Sequence, residues 1–362
     1  MKRVLSSAYM QWAKQRSGAR YNLAVSGLAN YPLSGLPVSV EDLEPLSRTG
    51  GYGHRPLLEA IASRYRVSAE NEVTAAGTSM ANMLAMAAIV APGDEVVVER
   101  PTYELLLNAL GYLQADIRRF ERQPQQGFTL DPSEVERAVS PRTRLIVLTN
   151  LHNPSSSLAD EQTLRAVGEI ARHAGARVLV DEVYLDAAFE LQPRTAFLLG
   201  PEFVVTSSLT KVYGLSGLRC GWIFAESELA RRIWLLADLF DVNMAHPAER
   251  LGVIAFQNLE RVQERSRGLL DANRDLLNEF LAHRTDLGVR PLAFGTTAFP
   301  RLLTGPVDEF CELFRNKYEG TVVPGSFFEM PDHFRIGISG ETEGVRESLK
   351  QLGAALDEFR QR

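Results

Sequence analysis

The middle of the chain alternates between short apolar runs and longer segments with the spacing of helices. Apolar runs of strand length occupy residues 96–99, 145–149, 178–181 and 203–207, and segments of helical spacing include 80–90, 104–113 and 160–173. Strands that are apolar on both faces and separated by helices are typical of a parallel sheet covered on each side. The pattern therefore predicts an α/β domain with a mostly parallel sheet between helices, over residues 46–262.

The pattern changes on either side of this region. Residues 5–16 have the spacing of a short amphipathic helix, and the segment NLAVSGLANYPLSGLP after them indicates an extended chain. A further helix is predicted at 56–65, with a proline in its first turn. Toward the C-terminus we expect a long helix at 264–283 and then a smaller α+β unit, with helices at 310–318 and 342–359 and strands at 321–323 and 334–338.

Composition narrows the class of protein. The chain has 362 residues, 23% of them charged, and a net charge of -6, so a broad nucleic-acid-binding surface is not expected. The apolar runs are too short to cross a membrane, which favours a soluble protein. The first charged residues are all basic, but without an apolar h-region they predict an N-terminal arm rather than a targeting peptide. Cys220 and Cys311 are the two cysteines, which suits a reducing cytoplasm.

Several common sites have no counterpart in the sequence. The six histidines form no H-x-x-x-H motif and no Cys/His pair, so no metal site is expected. Neither the G-x-x-x-x-G-K-S/T nor the G-x-G-x-x-G pattern occurs, which excludes the usual nucleotide-binding loops.

The segment at 207–222, SSLTKVYGLSGLRCGW, places one lysine between hydroxyl-bearing residues and an arginine. Lys211 forms an imine only as a neutral amine, which partial burial or a cation such as Arg219 favours. Ser208, Thr210 and Arg219 offer hydroxyl donors and a guanidinium to one anion, as a phosphate requires. A lysine beside a phosphate site suggests pyridoxal phosphate; a solvated loop lysine is the common alternative for this pattern alone.

The spacing of Ser208, Lys211 and Arg219 resembles the lysine segment of fold-type I pyridoxal phosphate enzymes, the class I/II aminotransferases. In that family a serine precedes the Schiff-base lysine by three residues and an arginine follows it by eight, as they do here. The resemblance implies an aspartate aminotransferase-like fold in which residues 1–45 and 263–362 form a small domain, and it implies a homodimer. The implied activity moves an amino group from an L-amino acid to a 2-oxo acid through an aldimine on Lys211.

Further residues match the cofactor site of the family. Thr78 and Ser79 follow Gly77 at the start of a predicted helix, where N–H groups bind anions, although an ordinary helix cap has the same sequence. The resemblance assigns part of the cofactor phosphate to this place. Tyr103, in a P-T-Y segment after a predicted strand, matches the aromatic residue that stacks on the pyridine ring. Alone, Tyr103 is equally consistent with a half-buried turn residue.

Asn153, Asp181 and Tyr184 follow the ends of two other predicted strands. Asn153 matches the asparagine that donates to the ring hydroxyl oxygen, although NPSSS lacks the glycine of the usual N-P-T-G turn. Asp181 closes an apolar strand, where a carboxylate is costly unless it is paired. By resemblance Asp181 pairs with the pyridine nitrogen and Tyr184 donates to the ring oxygen; a helix-capping aspartate is the alternative.

Arg335 and Gly27 are predicted to contact the substrate. An arginine in a strand is more often a surface residue. However, HFRIGIS around Arg335 resembles the family strand whose arginine clamps the substrate α-carboxylate with its planar fork. Other candidates for the pocket lining are Ser26, Tyr31, Asn243 and His246.

One family contact has no clear counterpart. Family dimers lend a tyrosine across the interface to the phosphate, four or five residues before a glycine that Gly53 matches. Ser47, Arg48 or Thr49 occupies that position, whereas Tyr52 is adjacent to Gly53. We expect either that Tyr52 takes over the contact or that the contact is lost or replaced by Arg48.

The same scaffold supports other reactions, because the cofactor supplies the reactivity and the pocket decides which bond breaks. An amino-acid lyase, decarboxylase or cyclase is therefore the alternative prediction. A ligand-sensing module of a DNA-binding regulator is disfavoured, since the 45 residues before the α/β domain contain no helix-turn-helix pattern. The sequence does not determine which amino acid and 2-oxo acid are used.

Overall fold

The computed structural model describes residues 4–16, 18–43 and 50–362. The α-helices are α1 (Ala8–Arg16), α2 (Arg55–Tyr65), α3 (Thr78–Ile89), α4 (Glu104–Tyr112), α5 (Pro132–Ala138), α6 (Glu161–Ala174), α7 (Ser227–Ala237), α8 (His246–Gln257), α9 (Leu259–Ala282), α10 (Val307–Tyr318) and α11 (Thr342–Arg360). The strands are β1 (Tyr21–Asn22), β2 (Glu72–Ala76), β3 (Glu95–Arg100), β4 (Asp116–Glu121), β5 (Thr143–Thr149), β6 (Arg177–Asp181), β7 (Phe203–Ser208), β8 (Cys220–Phe224), β9 (Leu287–Gly288), β10 (Thr297–Ala298), β11 (Arg301–Leu302), β12 (Gly320–Thr321), β13 (Val323–Pro324) and β14 (Phe334–Gly337).

A mixed sheet forms the centre of the fold. Among the described residues it has seven strands, in the order β2-β8-β7-β6-β5-β3-β4. The pairings from β4 through β3, β5 and β6 to β7 are parallel, and β8 is antiparallel to both β2 and β7. The prediction of a mostly parallel sheet between helices is confirmed. The four predicted strands correspond to β3, β5, β6 and β7, with ends that differ by at most two residues.

Helices cover both faces of the sheet. Along β3, Val96 and Val98 face the core that includes side chains of α3 and α7, whereas Val97 faces the core formed with α2, α6 and α8. All three valines are fully buried, and burying a side chain of this size stabilises the fold by roughly 1.5–3 kcal/mol. Burial on both sides explains why these strands are continuous apolar runs in the sequence.

The C-terminal part forms another core together with a short N-terminal segment. β1 pairs in parallel with β12, and β14 lies between β10 and β13. Leu23, just after β1, is buried with Leu277 of α9 and with side chains of α10 and α11. The other end of α9 contributes Leu259 and Val262 to the core that α2, α6 and α8 form with the sheet. The expected domain boundary at 262/263 therefore falls inside a continuous helix, and the domain division remains a prediction.

The strand ends position the candidate site. β5 ends at Thr149, β6 at Asp181 and β7 at Ser208, all at the same edge because parallel strands share their carboxyl ends. β2 also ends at this edge, where Gly77 leads into α3. None of the described helices has the length and apolar content needed to cross a membrane.

Candidate active site

A cavity of about 230 Å³ lies at the carboxyl edge of the sheet. The predicted residues that line it are Ser26, Thr78, Ser79, Tyr103, Asn153, Asp181, Tyr184, Thr210, Lys211, Arg219 and Arg335. The sequence does not identify five further lining residues, Tyr9, Met10, Asn82, Thr149 and Val183, as part of the site. The structure thus brings most of the predicted groups to one place.

Lys211 lies in the loop after β7, with its side chain against Gly27. Its Nζ donates to Ser26 Oγ at 3.5 Å, and a Cβ on Gly27 would lie 3.3 Å from Lys211 Cδ. Burial lowers the pKa of Lys211, and the positive charges of Arg335 and Arg219 act in the same direction. The sequence suggests Arg219 as the cation, but burial is the larger cause in the structure. Lys211 is therefore shifted toward the neutral amine that forms an imine.

Asp181 ends β6 with its carboxylate buried at the cavity. Asn82 Nδ2 donates to Oδ2 at 2.8 Å, and the Val183 amide donates to Oδ1 at 3.1 Å. Thr206 Oγ1 donates in turn to Asn82 Oδ1 at 2.5 Å, which orients the amide of Asn82. Burial raises the pKa of Asp181 to about 6 although these hydrogen bonds and Lys211 oppose it. A cationic partner in the cavity would stabilise the carboxylate.

Ser26 connects the tyrosine and the lysine of the site. The hydroxyl groups of Ser26 and Tyr184 share a hydrogen bond of 2.8 Å. Burial raises the pKa of Tyr184, so its hydroxyl stays protonated at neutral pH and can donate. This protonation state is the one that the predicted role of Tyr184 requires.

An anion cradle lies where the end of β2 meets β8. A Cβ on Gly77 would overlap the guanidinium of Arg219, with the central carbon 2.8 Å away, and a Cβ on Gly221 would lie 2.7 Å from Gly77 Cα. Arg219 Nη2 donates to the Ala76 carbonyl at 3.1 Å, which holds the guanidinium beside the start of α3. The residue at the N-cap of this helix, Gly77, has no side chain that could accept from its first N–H groups. Its first N–H groups therefore add to the positive potential of the cradle.

Hydroxyl groups complete the cradle. Thr78 Oγ1 donates to Ser208 Oγ at 2.8 Å, and the Thr210 amide donates to the same oxygen at 3.3 Å. Thr210 Oγ1 is buried and has no hydrogen-bond partner among the described residues. A buried hydroxyl of this kind is suited to a phosphate oxygen, to which it can donate.

Replacing Gly77 by alanine is expected to weaken phosphate-dependent cofactor binding by about 10- to 100-fold, because displacing Arg219 removes a charge-assisted contact worth about 1.5–3 kcal/mol. Titration of the cofactor-free protein with pyridoxal phosphate, followed by absorbance, measures the affinity. Gly93→Ala is the matched control: its φ of 87° resembles the 79° of Gly77, but its Cβ would meet nothing within 4 Å. Equal affinities of the two variants would contradict the cradle.

Arg335 extends from β14 to the cavity and is only 1% exposed. Nη1 donates to Asn153 Oδ1 at 3.0 Å, and Nη2 donates to the Tyr9 hydroxyl and the Ala24 carbonyl, both at 3.1 Å. The Phe328 ring lies 5.2 Å from the guanidinium carbon. Nε is buried with no hydrogen-bond partner in the described part of the chain. These contacts fix the orientation of the planar guanidinium, and its Nε can still donate to a carboxylate.

Tyr9 reaches the cavity from α1. Glu104, at the start of α4, accepts from Ser7 Oγ at 2.9 Å and from the Tyr9 amide at 2.6 Å, which anchors the beginning of α1. The Tyr9 ring packs edge-on against Tyr103 with 5.6 Å between centroids. No motif marks Tyr9, and its position in the predicted amphipathic segment is the only signal in the sequence. Asn82 had a clearer signal, since it lies one turn after Thr78 on the same face of α3.

Some predicted residues lie outside the cavity of their own chain. Tyr52 is 47% exposed and its hydroxyl donates to Asp238 at 3.1 Å, so its contact with a partner's phosphate remains a prediction. Tyr31, Asn243 and His246 do not line this cavity. The positions considered in place of Tyr52, namely Ser47, Arg48 and Thr49, lie outside the described residues.

A buried acid next to Asp181 makes stability depend on pH. Glu182 Oε1 accepts from the Ala196 amide at 2.7 Å, and burial raises the pKa of Glu182 from 4.5 to about 8. Between these values the folded protein keeps a proton that the unfolded chain has lost. The contribution of Glu182 to the free energy of unfolding therefore falls by an amount on the order of 5 kcal/mol as pH rises through this range.

Urea unfolding of wild type and Glu182→Gln at the two ends of this pH range measures the effect. The glutamine variant is expected to lack the decline in unfolding free energy that Glu182 causes. The same pH dependence in both proteins would show that the buried carboxyl group does not keep its proton.

The residues of the cavity fit pyridoxal phosphate. The cradle of Thr78, Ser208 and Arg219 suits its phosphate, and the buried carboxylate of Asp181 suits a protonated ring nitrogen. The protonated Tyr184 can donate to the ring oxygen, and Lys211 supplies an amine of lowered pKa.

Comparisons with known proteins agree with this chemistry. The family model for aminotransferase class I and II matches residues 39–352. Capreomycidine synthase of Streptomyces vinaceus is 29% identical over 358 residues, which cover 95% of this chain and 92% of that protein. A PLP-dependent aminotransferase from Streptococcus suis has a similar fold, with a TM-score of 0.92 at 24% identity over 99% of both chains. The PLP-dependent cyclase OrfR superposes with a TM-score of 0.86 at 24% identity, over 99% of this chain and 98% of that chain.

The family match spans far more than half of the chain and includes Lys211, Asp181 and Arg335 of the cavity. The protein therefore belongs to the class I and II aminotransferase family, whose members depend on pyridoxal phosphate.

Proposed function

We propose that the enzyme is an aminotransferase that moves the amino group of an L-amino acid to a 2-oxo acid. The observation that carries the proposal is the convergence of the Lys211 amine, the Asp181 carboxylate and the Arg335 guanidinium on one cavity. These groups meet the three needs of the reaction, which are a base, a partner for the cofactor ring and a clamp for the substrate carboxylate.

Lys211 is the base that takes the α-proton of the substrate. Its pKa is lowered by burial, so the neutral amine needed for proton transfer is more populated at neutral pH than for an exposed lysine. The same amine can return the proton at a neighbouring carbon, which makes it a shuttle between two atoms. Ser26, within 3.5 Å of Nζ, orients the amine.

Bound pyridoxal phosphate supplies an electron sink for the pair left at the α-carbon. Asp181 would stabilise the positive charge at the ring nitrogen on which this capacity depends. Asn82 and Thr206 hold the Asp181 carboxylate in place through hydrogen bonds of 2.8 and 2.5 Å. The Tyr184 hydroxyl, which is hydrogen-bonded to Ser26, would donate to the ring oxygen.

Arg335 binds the α-carboxylate and thereby orients the Cα–H bond toward Lys211. Asn153 and Tyr9 hold the guanidinium fork, and Tyr9 with Tyr103 forms an aromatic wall that excludes water from the cavity. The cations lining the described cavity, Lys211, Arg219 and Arg335, all have such roles. A substrate with a side-chain carboxylate would therefore need another cation, supplied from outside this cavity.

Ring closure on the substrate is the second candidate function. It is favoured by the similarity to capreomycidine synthase along 95% of the chain and by the fold shared with the PLP-dependent cyclase OrfR. Both reactions begin with removal of the α-proton by Lys211 and differ in the bond that changes next. A lyase or decarboxylase would use the same site with yet another bond broken.

Product analysis separates these outcomes. The purified enzyme is incubated with single amino acids, with and without a 2-oxo acid acceptor, and the products are identified by mass spectrometry. Transamination predicts a 2-oxo acid from the donor and, in equal amount, a new amino acid from the acceptor. A cyclic amino acid formed without an acceptor would replace the proposal with the second candidate, and release of ammonia or carbon dioxide would indicate a lyase or decarboxylase.

We also propose that a second copy of the chain binds to an exposed apolar patch that follows α7. Leu239 and Val242, after α7, are 78% and 62% exposed, and Leu235 and Phe240 are also exposed. Patches of this kind are typical of interfaces. Tyr52, predicted to reach a partner's phosphate, is exposed as well and bonds to Asp238 beside the patch.

The two free cysteines support an expected location in the cytoplasm.

A further inference from the structure

Two histidines and a glutamate meet outside the cofactor cavity, where α2 and α8 begin. His54 directly precedes α2, His246 is the first residue of α8, and Glu249 follows one turn later. The two imidazole rings are 4.9 Å apart between centroids, at 81° to each other. One ligand atom from each of the three residues lies within 4.8 Å of the other two.

The three side chains form a built site rather than a surface group. Glu249 is fully buried, His246 is 9% exposed, and His54 is partly buried. The Nδ1 atom of His246 lies 3.5 Å from Glu249 Oε2, which is too long for a strong ion pair. Two imidazole rings and a carboxylate this close together bring nitrogen and oxygen atoms of the kind that coordinate a zinc-type cation to one place.

We propose that His54, His246 and Glu249 bind a divalent metal ion of the zinc type, separate from the catalytic site. Two histidines and a carboxylate are a recurring zinc ligand set, which leaves a further position for water. A tetrahedral ion with bonds of about 2.1 Å holds its ligand atoms roughly 3.4 Å apart, so side-chain movements on the order of 1 Å close the cluster. No short motif contains these residues, which is why no metal site is expected from the sequence.

The metal ties two helices that lie on the sheet. α2 and α8 are also in contact near Gly252, where a Cβ would lie 3.2 Å from Leu57 and 3.3 Å from Cys220 Sγ of β8. The bound ion therefore links α2 to α8, which itself packs against β8 near Gly252. Because it binds the folded chain, it raises the melting temperature by a few degrees at saturating metal.

The test uses the cofactor-loaded enzyme after dialysis against a chelator and removal of the chelator. Zn²⁺ is added, excess ion is removed by desalting, and bound zinc per chain is measured by elemental mass spectrometry, with calorimetry for affinity. Wild type is expected to retain one ion per chain. His246→Gln and Glu249→Gln lose this ion and its melting-temperature shift, whereas His173→Ala, at an exposed histidine of α6, keeps both.

Cofactor absorbance is measured for every variant as a check that the chain is folded. This absorbance is not expected to depend on the metal ion. A wild type that retains no zinc would overturn the proposal. So would equal retention by wild type and the two site variants, since the ion would then lie elsewhere. Neither result would affect the proposed aminotransferase function, because none of the three side chains lines the cofactor cavity.

Discussion

Replacing Lys211 by alanine is expected to lower kcat by at least about 10³-fold and to end covalent attachment of the cofactor. General-base catalysis alone accounts for about 10²–10⁴-fold, and the loss of the nucleophile adds to it. The variant should still fold, because removal of a half-buried lysine from a loop leaves the sheet and both cores intact. Steady-state kinetics with the amino acid found in the product analysis measures the loss.

Rescue by a small external amine is a second test of the role of Lys211 as the base. If Lys211 acts as the base, methylamine should restore part of the activity of Lys211→Ala, since the vacated space faces Gly27 and Ser26. Lys350→Ala is the control, because Lys350 is an exposed lysine of α11 that does not line the cavity. Activity of Lys211→Ala within about tenfold of wild type would exclude Lys211 as the base.

Replacing Arg335 by lysine is expected to lower kcat/KM for the amino acid by about 10²-fold or more, mainly through KM. Lysine keeps the charge but loses the planar fork that binds a carboxylate with two parallel hydrogen bonds. Breaking a buried charged contact of this kind costs about 2–5 kcal/mol. An interaction made equally in the ground state and the transition state appears in KM rather than kcat.

Two measurements distinguish this effect from a disturbed fold. Cofactor absorbance should be unchanged in Arg335→Lys, because the cradle of Thr78, Ser208 and Arg219 is intact. Tyr9→Phe removes one hydrogen bond to the guanidinium but keeps the fork, so its change in KM should be clearly smaller. A KM of Arg335→Lys equal to that of wild type would mean that another group binds the carboxylate.

The parallel strands and the chemistry at their ends could be predicted from the sequence. A strand buried on both faces is a continuous apolar run, and the polar residue that ends it must lie at the carboxyl edge. The end of an apolar strand predicts that Asp181 lies at the site. The spacing of the lysine segment predicts the same for Ser208, Lys211 and Arg219. The strands β2, β4 and β8 were missed. β4, DIRRFE, is an edge strand with mostly polar side chains, and β8, CGWIF, was interpreted only as part of the lysine segment.

Contacts between distant parts of the chain could not be predicted in this way. Tyr9 meets Arg335 because Glu104 anchors the start of α1, and no local pattern encodes that contact. The cluster of His54 and His246 likewise depends on how α2 and α8 pack. The sequence singles out Tyr52 by its place beside Gly53; the fold exposes its side chain, and its contact with a partner's phosphate remains a prediction.

Covalent attachment of the cofactor to Lys211 can be tested directly. Treatment of the purified enzyme with borohydride reduces an imine to a stable amine, and peptide mass spectrometry then locates the modified residue. We expect a cofactor-sized addition on the peptide containing Lys211, and none on Lys14, Lys317 or Lys350. Modification of another lysine, or of none in protein reconstituted with pyridoxal phosphate, would show that Lys211 does not carry the cofactor.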